Sequence, residues 1–131
     1  MSPLEREVVV SDQAPKAIGP YSVGISAGGL VFTAGQIGLD PQTGELAAGG
    51  IEAQTRQVMS NLRNVLQAAG SDLQEVVKTT VFLKNLSDFA AFNAVYGEYF
   101  PDSPPARSTV EAAALPKSAL VEIDCIAIAP R

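Results

Sequence analysis

The amino-acid sequence predicts an α+β fold in which two helices pack on one face of a mixed β-sheet. First, strand-like segments come before, between and after two segments with helical periodicity. Second, 131 residues with 47% hydrophobic and 18% charged residues are enough to bury one core. Third, the chain has no internal repeat, low-complexity tract or linker. We therefore expect residues 1–131 to form a single domain.

Three strands are predicted in the first part of the chain. Residues 8–10 are β-branched, residues 21–26 alternate in polarity, and residues 30–39 are rich in strand-forming side chains. Gly35 and Gly38 interrupt the third of these segments. Because glycine inside a strand is typical of a bulge or of a close approach by backbone or ligand, we expect such a feature here.

Two helices follow. The first begins after Gly50 and is stopped by Gly70, and the second begins near Ser87 or Asp88, either of which can cap it, and ends before Pro101. Apolar residues recur at helical spacing in both. The residues expected on the buried faces are Ile51, Thr55, Val58, Met59, Leu62, Val65, Leu66 and Ala69 in the first helix, and Phe89, Phe92, Val95, Tyr96, Tyr99 and Phe100 in the second.

Further strands are predicted at residues 76–83, 106–113 and 120–128. In the last one, alternation places Glu122 and Asp124 on one face, about 6.5 Å apart, and Cys125 on the other. Both faces are largely apolar, so we expect both to be covered. Carboxylates in such a setting have raised pKa values unless a cation pairs with them. They are either a solvated rim, part of a structural ion pair, or catalytic.

The composition excludes several kinds of function. The chain has no histidine and one cysteine, Cys125, so it cannot form a Ser-His-Asp triad, a Cys-His pair, a structural zinc site or an internal disulfide. A net charge of −5 disfavours nucleic-acid binding. No apolar run approaches the roughly 20 residues of a membrane span, and because residues 1–7 carry acids and no apolar run follows them, we do not expect a signal peptide. We expect a cytoplasmic protein without nucleic-acid or membrane partners.

Arg107 is the strongest candidate for chemistry. It follows Pro104 and Pro105, which restrict the backbone, and its planar guanidinium matches a carboxylate through two parallel hydrogen bonds. One hypothesis is a structural salt bridge to Glu122 or Asp124. The other is that Arg107 holds the carboxylate of a small α-imino acid while Glu122 moves protons between water and the departing nitrogen. An imine carbon is already electrophilic, so this hydrolysis needs no histidine.

Four ordered motifs carry a resemblance to a known family, and they span nearly the whole chain from Pro15 onward. They are PARSTVEAAALPK (105–117) closing with VEI (121–123), IGPYS (18–22), TAGQI (33–37), and VKTTVFL (77–83) followed by Asp88, Phe89 and Asn93. Together they closely resemble the signature of the Rid/YjgF family of reactive-intermediate deaminases.

The resemblance implies a chorismate-mutase-like α+β fold and a homotrimer with clefts between subunits. It implies hydrolysis of 2-iminopropanoate and 2-iminobutanoate to 2-oxo acids and ammonia, which limits damage to pyridoxal-phosphate enzymes. No cofactor or metal is implied.

Carried over to this sequence, the resemblance implies that Arg107 binds the substrate carboxylate and that Glu122 helps to activate water. Tyr21 and Asn93 would line the cleft, and Cys125 is expected to be an inert core thiol.

Backbone groups near Gly35 and Thr109 would complete the cleft.

The chain departs from the family pattern at three positions. Ala34 stands where several members have serine, Thr109 where some have cysteine, and Asp124 where a second glutamate is common. Ala34 removes one possible hydrogen bond to substrate or water.

Two other functions stay open on this evidence. One is a non-catalytic protein on the same scaffold, either a small-carboxylate binder or a chaperone-like interaction protein. The other is RNA cleavage, which the isoelectric point near 4.6 and the lack of histidine disfavour.

Overall fold

The computed structural model describes residues 5–129 and confirms the α+β fold. The strands are β1 (Glu7–Val9), β2 (Gly24–Ala27), β3 (Leu30–Thr33), β4 (Gln36–Ile37), β5 (Val76–Leu83), β6 (Ala106–Glu111) and β7 (Val121–Ile128). The helices are α1 (Gly50–Ala68) and α2 (Phe89–Glu98). Short 3₁₀ turns precede β5, α2 and β7.

Within the described residues, the strands form one mixed sheet in the order β1-β2-β3-β7-β5-β6, and β4 also pairs with β7. The pairs are antiparallel except β5 with β6, which are parallel and connected through α2. A parallel pair needs such a crossover, and its helix packs on the sheet. This arrangement makes β6 an edge strand and places β5 between β6 and β7.

The predicted strand at residues 30–39 is broken by a bulge. Phe32 pairs with Ile126, and Gln36 pairs with Ile123. Three residues of this strand, 33–35, therefore face two residues of β7. One extra residue is the definition of a β-bulge, which bends the strand and redirects its side chains. The prediction of a bulge or close approach at Gly35 is confirmed.

Both helices pack on the same face of the sheet, as predicted. Val121, Ile123, Cys125 and Ala127 of β7 point to this side and are at most 2% exposed. Within residues 5–129 no helix covers the opposite face of the sheet, contrary to the expectation that both faces are covered. Large apolar side chains on it stay exposed, namely Val8, Phe32, Val110 and Ile128.

Two local predictions were wrong. The strand predicted at 21–26 begins only at Gly24, because the N–H of Tyr21 bonds the carbonyl of Gly19 in a tight turn. Asp88 precedes α2 but neither it nor Ser87 caps the helix with its side chain. The 3₁₀ turn before α2 supplies the hydrogen bond instead, since the N–H of Phe89 bonds the carbonyl of Leu86.

Buried polar side chains fix β4 and the start of β7 to α1. The amide nitrogen of Asn61, which is fully buried, donates to the carbonyls of Ile37 and Leu39 at 3.1 and 2.9 Å. The amide oxygen of Gln54 accepts from the N–H of Leu120 at 2.8 Å. Buried backbone groups thus find partners where the strand pairing stops. No helix within residues 5–129 combines the length and apolar character needed to cross a membrane.

Candidate active site

Arg107 lies on the helix side of the sheet. It pairs in register with Thr79 of β5, which pairs in turn with Cys125 of β7. Thr79 and Cys125 are both buried beneath the helices. Because directly paired residues share a face of a sheet, the side chain of Arg107 points to α2.

The guanidinium of Arg107 rests against α2 without an acidic partner. Its Nη1 donates to Oδ1 of Asn93 at 2.8 Å. The rings of Tyr96, Phe89 and Phe92 lie beneath it, with centroids 5.0, 5.4 and 5.7 Å from Cζ. No carboxylate of the described residues lies within ion-pair distance of it. Since an arginine carries five N–H donors, several stay available to a ligand.

Thr109 lies two residues further along β6 and on the same face as Arg107. Its hydroxyl is buried and has no hydrogen-bond partner among the described residues. A buried hydroxyl without a partner costs free energy that a bound polar group would restore. We call Arg107, Asn93 and Thr109 the arginine half-site.

Glu122 lies on the open face of the sheet. It lines a cavity of about 50 Å³ together with Tyr21 and Gly35, and we call these three residues the glutamate half-site. Such a volume has room for a few water molecules. The ring of Tyr21 is 47% exposed and forms a wall of this cavity rather than part of the core. Its hydroxyl accepts from the N–H of Ile18 at 3.2 Å, which leaves its own proton available to another acceptor.

Gly35 permits the close approach of Glu122 to the bulge. A Cβ atom at position 35 would overlap the Glu122 carboxylate and lie 2.8 Å from its Cδ. Any other residue at 35 would therefore displace that carboxylate. Ala34, the neighbouring bulge residue, donates its N–H to the carbonyl of Val23 at 2.9 Å but does not line the cavity.

The environment of Glu122 favours its protonated form. Burial raises the pKa of Glu122, and the nearby carboxylate of Asp124 raises it further. Burial also raises the pKa of Asp124, although the Thr80 hydroxyl and the charge of Lys78 oppose that rise. A carboxyl group with a raised pKa accepts a proton more readily than an ordinary glutamate and can return it in a later step.

One chain does not bring the two half-sites together. Two inter-strand spacings and three residues of rise separate Arg107 from Glu122, so their Cα atoms lie roughly 14 Å apart. In addition, the two side chains point to opposite faces of the sheet. The structure therefore rejects the hypothesis of a salt bridge between Arg107 and either Glu122 or Asp124.

The three aromatic rings that lie against the Arg107 guanidinium were not expected there from the sequence. From the sequence, Phe89, Phe92 and Tyr96 were expected only to pack in the core beneath the second helix. However, Phe89, Asn93 and Tyr96 are spaced by four and three residues, so they share one face of α2. That spacing was the available signal. Lys16 and Gln36, which line the cavity of Glu122, were likewise not expected there. These residues come from distant segments, so no local pattern links them to it.

The part of the chain that the structure describes offers neither a reactive thiol nor a cluster of metal ligands. Cys125 is 2% exposed, and burial raises its pKa to about 12, as expected for an inert core thiol. Within residues 5–129, no three acidic or cysteine side chains come together in an arrangement that could hold a metal ion.

Comparison with known proteins gives consistent matches over most of the chain. The profile of the family described as Endoribonuclease L-PSP matches residues 11–129. A RutC family protein of Pyrococcus horikoshii is 53% identical over 93% of this chain and 97% of its own length. Reactive Intermediate Deaminase A of Arabidopsis thaliana is 48% identical over 96% of this chain and 67% of its own length. The mouse 2-iminobutanoate/2-iminopropanoate deaminase is 44% identical over 98% of this chain and 95% of its own length.

Crystal structures of related proteins have the same fold. The YjgF gene product of E. coli matches with a TM-score of 0.90 and 43% identity, over 95% of this chain and 99% of that one. E. coli TdcF with bound serine matches with a TM-score of 0.89 and 41% identity, over 93% of this chain and 98% of that one. The chain therefore belongs to the family known as Rid, YjgF, RutC or L-PSP, which includes reactive-intermediate deaminases.

Proposed function

We propose that this protein hydrolyses 2-iminobutanoate and 2-iminopropanoate to the 2-oxo acids and ammonia. The observation that carries the proposal is that no carboxylate of the described residues pairs with the Arg107 guanidinium. Its neighbours are instead a neutral amide and three aromatic rings. Such a guanidinium binds a small carboxylate through two parallel hydrogen bonds. Relatives named as deaminases of these imines support the choice of substrate.

We propose that each active site forms between two copies of the chain in a homotrimer. The half-sites lie on opposite faces of one sheet, so an intact site needs Arg107 from one copy and Glu122 from another. Two residues of the arginine half-site, Arg107 and Thr109, lie on the edge strand β6, which a neighbouring copy can approach. Exposed apolar side chains on the open face, such as Phe32 and Val110, support burial of that face in an assembly.

These positions support the following reaction. Arg107 of one copy holds the carboxylate of the imino acid, with the Thr109 hydroxyl as a second donor, and so places the C=N carbon opposite Glu122 of the neighbouring copy. Water adds its oxygen to the carbon of the protonated imine, the C=N electron pair moves to nitrogen to give C–NH2, and the Glu122 carboxylate accepts a proton from the water. Glu122 then returns this proton to the amino nitrogen of the carbinolamine, which becomes C–NH3⁺. The C–N bond breaks with its electron pair on nitrogen, which leaves as ammonia, while the electrons of the carbinol O–H bond form the C=O bond and its proton passes to the Glu122 carboxylate.

The test couples the protein to a threonine dehydratase and follows 2-oxobutanoate formation in the presence of an amine that competes for the imine. We expect clear acceleration over buffer, and a loss of roughly 100-fold or more in kcat/KM for Arg107→Ala. Arg56→Ala is the matched control, since Arg56 is an exposed arginine paired with Glu98. Absence of acceleration by the wild-type protein would reject the proposal. Binding of 2-oxobutanoate without turnover would instead support a carboxylate-binding protein.

A further inference from the structure

The charged end of Arg107 lies over three aromatic rings and donates one hydrogen bond, to Asn93. Among the three rings beneath it, that of Tyr96 is the nearest, 5.0 Å from Cζ to the centroid. Tyr96 is 5% exposed and Phe92 is fully buried, whereas Phe89 is 38% exposed. A ligand arriving from solvent can therefore reach Phe89 but not Tyr96, which lies under the guanidinium.

The ring of Tyr96 is fixed by a second buried residue. Its hydroxyl forms a hydrogen bond of 2.7 Å with the hydroxyl of Thr79, which is 1% exposed. Thr79 also pairs in register with Arg107 across β5 and β6. The same residue thus sets both the backbone position of Arg107 and the orientation of the ring beneath its guanidinium.

We propose that Thr79 and Tyr96 are a positioning pair that holds the Arg107 guanidinium in the orientation that receives a substrate carboxylate. This inference rests on the proposed function. Arginine side chains are flexible, and a guanidinium that is already oriented loses less freedom when it forms two parallel hydrogen bonds. The face of an aromatic ring attracts the cation and leaves its N–H donors free, whereas a carboxylate would occupy them.

The anchoring of α2 does not itself require the hydrogen bond between Tyr96 and Thr79. Phe92 and Phe100 fill the core on either side of Tyr96, with centroids 5.2 and 4.9 Å from its ring. A phenyl ring at position 96 would keep these contacts. Removal of the hydroxyl therefore separates orientation of Arg107 from packing of the helix.

The experiment compares Tyr96→Phe, Thr79→Val and the double variant with the wild-type protein. For each we would measure kcat and KM in the coupled assay, the Kd of 2-oxobutanoate by calorimetry, and Tm. We expect KM and Kd to rise about 5-fold in each single variant, while kcat stays within about 2-fold of the wild-type value. The rise corresponds to the loss of roughly one hydrogen bond, the one between Tyr96 and Thr79 that orients the ring beneath Arg107. The double variant should show the same rise as either single variant, since both remove the same hydrogen bond.

Two further variants complete the design. Thr79→Ser keeps the hydroxyl and should restore the wild-type KM. Phe100→Leu weakens core packing next to Tyr96 and should lower Tm without changing KM. Unchanged KM and Kd in Tyr96→Phe and Thr79→Val, with or without a lower Tm, would overturn the positioning role. A wild-type protein that neither binds 2-oxobutanoate nor turns over the imine would instead overturn the proposed function.

Discussion

Mixing of two inactive variants tests whether the active site spans two copies of the chain. The variants are Arg107→Ala, which keeps Glu122, and Glu122→Gln, which keeps Arg107. Each should be nearly inactive alone, because loss of the carboxylate anchor or of the proton carrier costs roughly 100-fold or more. The two variants would be coexpressed with different affinity tags, and mixed assemblies would be purified through both tags in turn.

The expected recovery follows from the geometry. Arg107 and Glu122 of one chain lie roughly 14 Å apart on opposite faces, so each site would draw them from different copies. In a trimer that contains both variants, one of the three sites receives both intact residues, because only one interface combines the two in the productive order. Mixed assemblies purified through both tags should therefore recover about a third of the wild-type kcat, with a wild-type KM. Each recovered site is fully intact, so its affinity for the imine is unchanged.

A chain that carries both substitutions is the control. Coexpressed with the wild type, it should give activity in proportion to the sites formed by wild-type copies alone. Failure of the two single variants to recover any activity, with the mixed assembly confirmed by mass, would refute an active site shared between copies.

Three further predictions concern residues around Glu122 and the core. Asp124→Asn removes a negative neighbour that raises the pKa of Glu122, so the acidic limb of kcat/KM, where Glu122 gains its charge, should move to lower pH. A limb that stays in place would contradict this coupling. Gly35→Ala should lower kcat by roughly 100-fold, because its Cβ would displace the Glu122 carboxylate. Gly97→Ala, where a Cβ meets nothing within 4 Å, should leave kcat unchanged. Cys125 should resist a thiol reagent at pH 8 in the native protein and react after unfolding, since burial raises its pKa to about 12; rapid native labelling would contradict its burial.

The secondary structure was largely predictable because local patterns determine it. The strand at 76–83 was predicted with the bounds that β5 has, and the alternation of β7 correctly separated Glu122 from Cys125. The break at Gly35 was also foreseen from the rule that glycine is rarely neutral inside a strand. Boundaries failed where backbone hydrogen bonds from neighbouring segments decided them, as in the turn at Tyr21.

The placement of the site residues was not predictable from local patterns. The face on which Arg107 lies depends on its register with Thr79, and hence on β5 lying between β6 and β7. Strand order is set by long-range packing, which one sequence does not display. Asn61 and Gln54 likewise look like solvent-facing positions of a helix, yet their partners are backbone groups far along the chain.

The pairing of the arginines separates a structural role from a binding role. Arg56 lies 3.0 Å from a carboxylate oxygen of Glu98, and Arg63 lies 3.7 Å from one of Asp72, and all four side chains are at least 36% exposed. Arg107 is partly buried, where a counter-charge would stabilise it, yet among the described residues it contacts only an amide and ring faces. An acid placed beside Arg107 would occupy the donors that a ligand needs. The absence of such an acid in a chain with 14 acidic residues therefore favours a negative charge supplied from outside, which a small imino acid carries.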